Sequence, residues 1–370
     1  MRRIAVLTVL AATLAPIAIA RAQQGPGKRP DPSSIKLESF TATEKQFHSD
    51  AIGEDVAYLI YLPKGYDDKA NADTKWPLII WLHGMFEDDM RFHVRGGAPM
   101  IDAAVKDGKL PPCVFVSPNG GRTSLFVNKK DKKYEDLVTK DLLAHLGKTY
   151  RVSDHREQRA IMGISAGGMS ALRIAFTQPD LFGVVAVHSA AVMPEDPAQL
   201  PDRMKEMVKQ FGFTEVFGDP IEKEPWQKAN PLCIAQTLDQ KALHGLRIYF
   251  DAGTSDRLHL GETNELLHKA LDKKGIEHTW RLIEGGGHSW GSGFQGEALP
   301  NSFAFVGAAF GGSAAVKSGL EGLGGSLGGK GDDDKNGKKD GDVKKDDSKD
   351  GKKDAGHDTP DASGRSGGRR

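Results

Sequence analysis

Cysteine is nearly absent from this sequence, with two in 370 residues, Cys113 and Cys233. That scarcity excludes a disulfide-held mini-domain and any four-cysteine zinc or iron–sulfur centre. Cys113 opens the apolar stretch Cys113-Val114-Phe115-Val116, so the expectation is two separate buried thiols acting as small hydrophobes. An excess of charge of either sign is missing too, because 50 Lys and Arg balance 50 Asp and Glu. No net field therefore draws the chain to nucleic acid or to an anionic membrane surface. Beyond residue 20 no apolar run is long enough to cross a bilayer, so no transmembrane segment is expected. Hydrophobic residues reach only 38%, an average of an apolar-rich centre and a polar C-terminal stretch.

What is present at the two ends is of a different kind from the centre. Arg2 and Arg3 precede the apolar run Ile4 to Ala20, which closes on the small-x-small pattern Ala20-Arg21-Ala22. This reads as a signal peptide over residues 1–22, and it implies a secreted or periplasmic protein. Pro16 breaks the run and Gln23-Gln24-Gly25 follows it, which makes it a poor anchor. Residues 23–33 read as a linker and 34–310 as one folded domain. Residues 311–370 become repeats of Gly, Lys and Asp that cannot bury enough apolar surface to offset their ordering entropy, so a disordered tail is expected. Asp332, Asp334, Asn336 and Gly337 match the start of a calcium loop, but Val343 stands where a bidentate Glu is required. No metal and no organic cofactor is expected anywhere in the chain.

Between the ends, short apolar runs alternate with amphipathic stretches. Strands are expected at Val56 to Leu62, Leu78 to His83, Cys113 to Ser117, Arg159 to Gly163, Gly183 to Ser189, Leu246 to Phe250 and His278 to Ile283. Several are apolar throughout, as strands covered on both faces should be. Asp136 to Tyr150 places Val138, Leu142, Leu146 and Tyr150 on one helical face, and Glu262 to Lys274 does the same with Leu267, Ala270 and Leu271. The expected fold class is α/β, a mostly parallel central sheet with helices on both faces.

The sharpest local signal is Gly163-Ile164-Ser165-Ala166-Gly167-Gly168, after an apolar strand and before the expected helix Met169 to Phe176. A G-x-S-x-G turn in that setting lifts a serine hydroxyl off the C-terminal edge of a sheet and aims a helix N-terminus at it. Ser165 is therefore the candidate nucleophile. Of 12 histidines, His288 in Gly285-Gly286-Gly287-His288-Ser289-Trp290 is best placed as the base, on a glycine-rich loop after the last expected strand. Asp251 and Asp256 both follow the strand Leu246 to Phe250. Asp256, farther along the loop, is preferred as the carboxylate that orients the imidazole, with Asp251 assigned to the turn. Oxyanion donors are expected at the amides of Ala166 and Met85, with Phe86 the alternative to Met85. His83 is expected to organise that loop. The order Ser165, Asp256, His288 is the order of α/β-hydrolases.

These motifs, with Leu82-His83-Gly84-Met85, Ser117-Pro118-Asn119-Gly120-Gly121, Tyr134-Glu135-Asp136 and Asp251-Ala252-Gly253-Thr254-Ser255-Asp256, resemble the esterase D-like and feruloyl esterase-like branch of the α/β-hydrolase superfamily. That branch also holds S-formylglutathione hydrolases, acetylxylan esterases and the antigen 85 mycolyltransferases. The resemblance covers roughly residues 40–310 and carries nucleophile, acid and base onto Ser165, Asp256 and His288, and oxyanion amides onto Met85 and Ala166. Many relatives have Ser-Met-Gly-Gly where this chain has Ser165-Ala166-Gly167-Gly168, a form similar to carbohydrate esterases and polyester depolymerases. The resemblance implies a serine esterase acting on small-molecule or carbohydrate esters, acyl or feruloyl. The alternatives are an acyltransferase of the mycolyltransferase type and a hydrolase-like binding module without catalysis.

Overall fold

The apolar runs pair into one sheet. In chain order its strands are β1 (Phe40–Ser49), β2 (Glu54–Pro63), β3 (Leu78–Leu82), β4 (Val114–Pro118), β5 (Arg159–Ile164), β6 (Val184–His188), β7 (Arg247–Gly253) and β8 (Thr279–Ile283). They lie in the order β1-β2-β4-β3-β5-β6-β7-β8. β1 and β2 are antiparallel to each other, β2 is antiparallel to β4, and every later pairing is parallel. This computed structural model describes residues 29–288, 290–291 and 293–311. The expected signal peptide, most of the linker, the charged tail and its calcium-loop-like segment lie outside the described residues.

Strand β3 shows why the sheet is covered on both faces. Leu78, Ile80 and Leu82 point into one apolar cluster, and Ile79 and Trp81 into the other, all essentially without exposure. Alternation is invisible in the sequence here because both faces are apolar. The first cluster is completed by Leu137, Val138, Leu142 and Leu146 from the continuous helix 134–149, by Leu172 and Phe176 from the helix Ala166–Thr177, and by Leu267 and Leu271 from the helix Leu260–Lys273. The second is completed by Ile101 of Ala98–Lys106 and by Phe303 and Val306 of Leu299–Ala309. Each such side chain, fully buried, stabilises the fold by about 1.5–3 kcal/mol relative to exposure. Cys113 and Cys233 are buried and unpaired. Among the described residues no helix is long and apolar enough to cross a membrane.

Two parts of the architecture were not expected from the sequence. β1 escapes period-2 reading because it is an edge strand of which only Phe40, Phe47 and Ser49 are buried, with Glu44-Lys45-Gln46 between them. The long connection from β6 to β7 forms a small helical layer of Asp202–Gln210, Thr214–Phe217, Lys223–Ala229 and Pro231–Ala235. It has its own apolar cluster, in which Leu200, Val208, Phe213, Phe217 and Trp226 meet Val127. Met85 and Leu125 pack against that cluster, so the layer sits against the C-terminal edge of β3.

Candidate active site

The C-terminal ends of the parallel strands converge on Ser165. It occupies the single residue between β5 and the helix Ala166–Thr177, at φ 55° and ψ −118°. A non-glycine residue there carries backbone strain of order 1–3 kcal/mol, which the surroundings hold in place. The Ser165 amide donates to the His188 carbonyl at 2.9 Å, and the Ser165 carbonyl accepts from Ala191 at 2.9 Å. Gly167 permits the tight approach of the following helix to β3, since a Cβ there would lie 2.2 Å from the Leu82 carbonyl oxygen.

Across from the hydroxyl stands His288. Its Nε2 lies 3.2 Å from Ser165 Oγ, and its Nδ1 lies 2.9 Å from Asp256 Oδ2. The other Asp256 oxygen, Oδ1, accepts the Leu258 amide at 2.8 Å. The Asp256 side chain is almost wholly buried, and that of His288 keeps 10% exposure. The two loops that bear these groups are joined along their length. Thr254 and Ser255 donate backbone hydrogen bonds to Ile283 and Gly286 at 3.0 and 2.9 Å. Their closeness depends on Gly253, where a Cβ would meet the Gly286 carbonyl oxygen at 2.0 Å. The close approach of Gly253 to Gly286 thus holds the stretch that bears Asp256 against the stretch that bears His288.

The loop after β3 supplies donors. Phe86, at φ 67°, gives its amide to the Arg122 carbonyl. Of the two residues open from sequence, Met85 is therefore the one whose N–H remains free for an anion. Ala166 opens a helix, so its amide has no intrahelical partner. A depression lined by Gly84, Met85, Arg122, Leu125 and Ala166 adjoins these amides. His83 behaves as an organiser. Its Nδ1–H donates to the Gly84 carbonyl at 2.8 Å and its Nε2 accepts the Gly120 amide at 3.2 Å, which requires the neutral ring. Burial pushes its pKa below the usual histidine value, consistent with that role.

Two residues near the site were not singled out by the motifs. Glu87 takes the Gly84 amide on Oε2 at 2.8 Å, and Arg91 Nε and Trp290 Nε1 on Oε1, each at 3.0 Å. One carboxylate therefore braces the donor loop against the chain just past His288. Its sequence signal is an acidic residue three positions after Gly84, able to bond back to a free amide as in a helix cap. A glutamine offers one acceptor where two are needed. We expect Glu87→Gln to lower kcat on p-nitrophenyl acetate about 10-fold, with a smaller change in KM, because one charge-assisted bond is worth about 1.5–3 kcal/mol. Steady-state kinetics beside a melting curve checks this; unchanged kcat removes Glu87 from the positioning role.

The other is His188. It is paired by register with Asp251 across β6 and β7, and its Nδ1–H donates to that carboxylate at 2.9 Å. Tyr249 O–H donates to the same Asp251 oxygen at 2.9 Å. Asp251, expected to stabilise the turn, instead lies inside β7, which continues to Gly253 because its register with β8 runs that far. The motif lists two aspartates five positions apart, and their environments separate them. Asp256 reaches His288, while Asp251 forms a buried pair with His188.

Over residues 49–317 the sequence matches the esterase family model, described as "Putative esterase". An endo-1,4-β-xylanase/feruloyl esterase of Xylanibacter ruminicola is 27% identical over 157 residues, 40% of this chain. That match spans only 22% of the relative's own length. Among solved structures, a ferulic acid esterase aligns with TM-score 0.61 at 24% identity, over 74% of this chain and 100% of that one. The S-formylglutathione hydrolase of Agrobacterium tumefaciens aligns with TM-score 0.57 at 16% identity, over 75% and 99%. The fold is that of the α/β-hydrolases, and the relatives fall in the branches that the motifs resemble.

Proposed function

This chain belongs to the esterase family, and from that premise we propose that it is an exported serine hydrolase of carboxylic esters, working through an acyl-enzyme on Ser165. The observation that carries the reading is the continuous line from Asp256 to His288 to Ser165, with contacts of 2.9 and 3.2 Å. Both lie within hydrogen-bonding reach. Ser165 Oγ attacks the ester carbonyl carbon while its proton passes to His288 Nε2. The amides of Met85 and Ala166 face the oxygen that gains charge. When the intermediate collapses, the carbon–oxygen bond to the alcohol breaks and the alcohol leaves with the proton from His288. Water then repeats the sequence in place of serine, releasing the acid and restoring the hydroxyl. Asp256 keeps Nδ1 protonated throughout, so that Nε2 is the nitrogen free to accept.

For the substrate we favour acyl or feruloyl esters of carbohydrates. The activity for which the Xylanibacter relative is named points that way. So does the aromatic mouth of the site, where Phe86 is 47% exposed and stands edge-to-face on Phe211 at 5.3 Å. Export rests on Arg2-Arg3, the apolar run and Ala20-Arg21-Ala22. A fluorophosphonate probe tests the central reading, because it reacts only with an activated serine. The expected result is a single adduct mapped to Ser165, with hydrolysis of p-nitrophenyl acetate lost in proportion to labelling. Absence of both leaves the binding module.

A further inference from the structure

At the opposite edge of the sheet from Ser165, the C-terminal turn of the helix Leu260–Lys273 meets the start of β8. His268 and Asp272, one helical turn apart, face His278 there, and one ligating atom from each lies within 4.8 Å of the others. His278 Nδ1–H donates to the Ile276 carbonyl at 2.7 Å, which fixes the tautomer and leaves Nε2 with its lone pair. That Nε2 lies 2.7 Å from His268 Nδ1 and 3.9 Å from Asp272 Oδ1. Asp272 Oδ2, in turn, lies 3.3 Å from His268 Nε2, the outer nitrogen of that ring. His278 thus has an acceptor at its outer nitrogen, and both rings turn one nitrogen towards a common point. The rings are also held by stacking, His278 on Phe250 at 5.6 Å and His268 on Trp280 at 6.3 Å.

Two nitrogens at that distance need a proton or a metal ion between them. A proton shared by the rings satisfies the geometry, and so does a metal ion with a modest parting of the rings. A backbone carbonyl on the outer nitrogen, as His278 has, is an arrangement that orients a histidine ligand. The donor set of two imidazoles and one carboxylate suits divalent zinc or copper, with water completing the shell. The His278 side chain is 3% exposed, while those of His268 and Asp272 are 31% and 60% exposed, so one side of the site opens to solvent. We propose that His268, Asp272 and His278 form a site for one divalent transition-metal ion of the zinc class, clamping the helix Leu260–Lys273 to β8.

The test is calorimetric titration of the full chain, stripped with chelator, with zinc chloride alone. The parent protein is expected to take up one equivalent at this site and to melt at higher temperature when loaded. Asp272→Asn and His268→Gln, at positions where folding tolerates change, are expected to weaken that equivalent about 10-fold or more. His278→Ala is expected to abolish it. Copper(II) in the same site should give an electron paramagnetic resonance signal with two nitrogen ligands, reduced to one in His268→Gln. Turnover of p-nitrophenyl acetate should not change as the first equivalent binds, because Ser165 and His288 lie at the other end of the strands. Identical zinc uptake in the parent and in Asp272→Asn and His268→Gln overturns the proposal and leaves a shared proton. So does the absence of any saturable binding.

Discussion

Replacing Ser165 by alanine is expected to lower kcat on p-nitrophenyl acetate by about 10⁴-fold or more, with the melting temperature close to that of the parent. The side chain contributes little to packing, because the backbone of Ser165 is held by His188 and Ala191 and not by its hydroxyl. Removing Oγ takes away the atom proposed to bond the carbonyl carbon, so the proposed covalent route is lost outright. His288→Ala is expected to cost a similar factor, since an unassisted serine hydroxyl is a weak nucleophile at neutral pH. The double variant should then be no slower than either single one. Once the acyl-enzyme cannot form, a second lesion on the same route has nothing left to remove. Residual rate in all three comes from the Met85 and Ala166 amides acting on water attack. A double variant that is slower by the product of the two single losses would mean that the groups act on separate routes, contrary to a 3.2 Å contact between them.

How far the sequence foretells this site depends on the range of the interaction. The serine turn is local: a strand, a positive-φ residue and a helix are all written within ten residues, and Ser165 is legible for that reason. His288 is legible through its glycines, which mark a loop able to approach other backbone closely. The parallel strands from β3 onward are legible because burial on both faces leaves runs of apolar residues. β1 is not, since an edge strand with three buried positions carries almost no pattern. The helical layer between β6 and β7 is obscured by its composition, in which short charged helices bury single residues such as Val208 and Trp226. The bond from Trp290 to Glu87 is illegible in a stronger sense. The two lie 203 residues apart, and nothing local announces that their loops meet. The two aspartates show the same limit from another side. Asp251 and Asp256 both come after the apolar run that ends at Phe250, and only the register of β6 with β7 reveals that one of them already has a histidine.

That register leads to the second large effect. Asp256→Asn is expected to lower kcat by about 10³- to 10⁴-fold while leaving the fold intact. The native carboxylate accepts on both oxygens, from the Leu258 amide on Oδ1 and from His288 Nδ1 on Oδ2. Asparagine has one acceptor. The Leu258 amide is backbone and cannot turn away, so the carbonyl oxygen stays with it and the NH₂ group faces His288. Nδ1 must then accept, the proton moves to Nε2, and the nitrogen facing Ser165 can no longer take a proton. Asp251→Asn should do something different. It disturbs a buried acceptor shared by His188 and Tyr249, each lost bond costing about 1–3 kcal/mol, and should lower the melting temperature by roughly 5 to 10 °C. Its kcat should stay within about 10-fold of the parent, because His188 reaches the nucleophile only through its backbone carbonyl. Kinetics and melting curves on the two variants, side by side, decide between the carboxylates. A collapse of kcat in Asp251→Asn with full activity in Asp256→Asn would move the acid to β7, and the path from His288 would have to run through a carboxylate that already holds another imidazole.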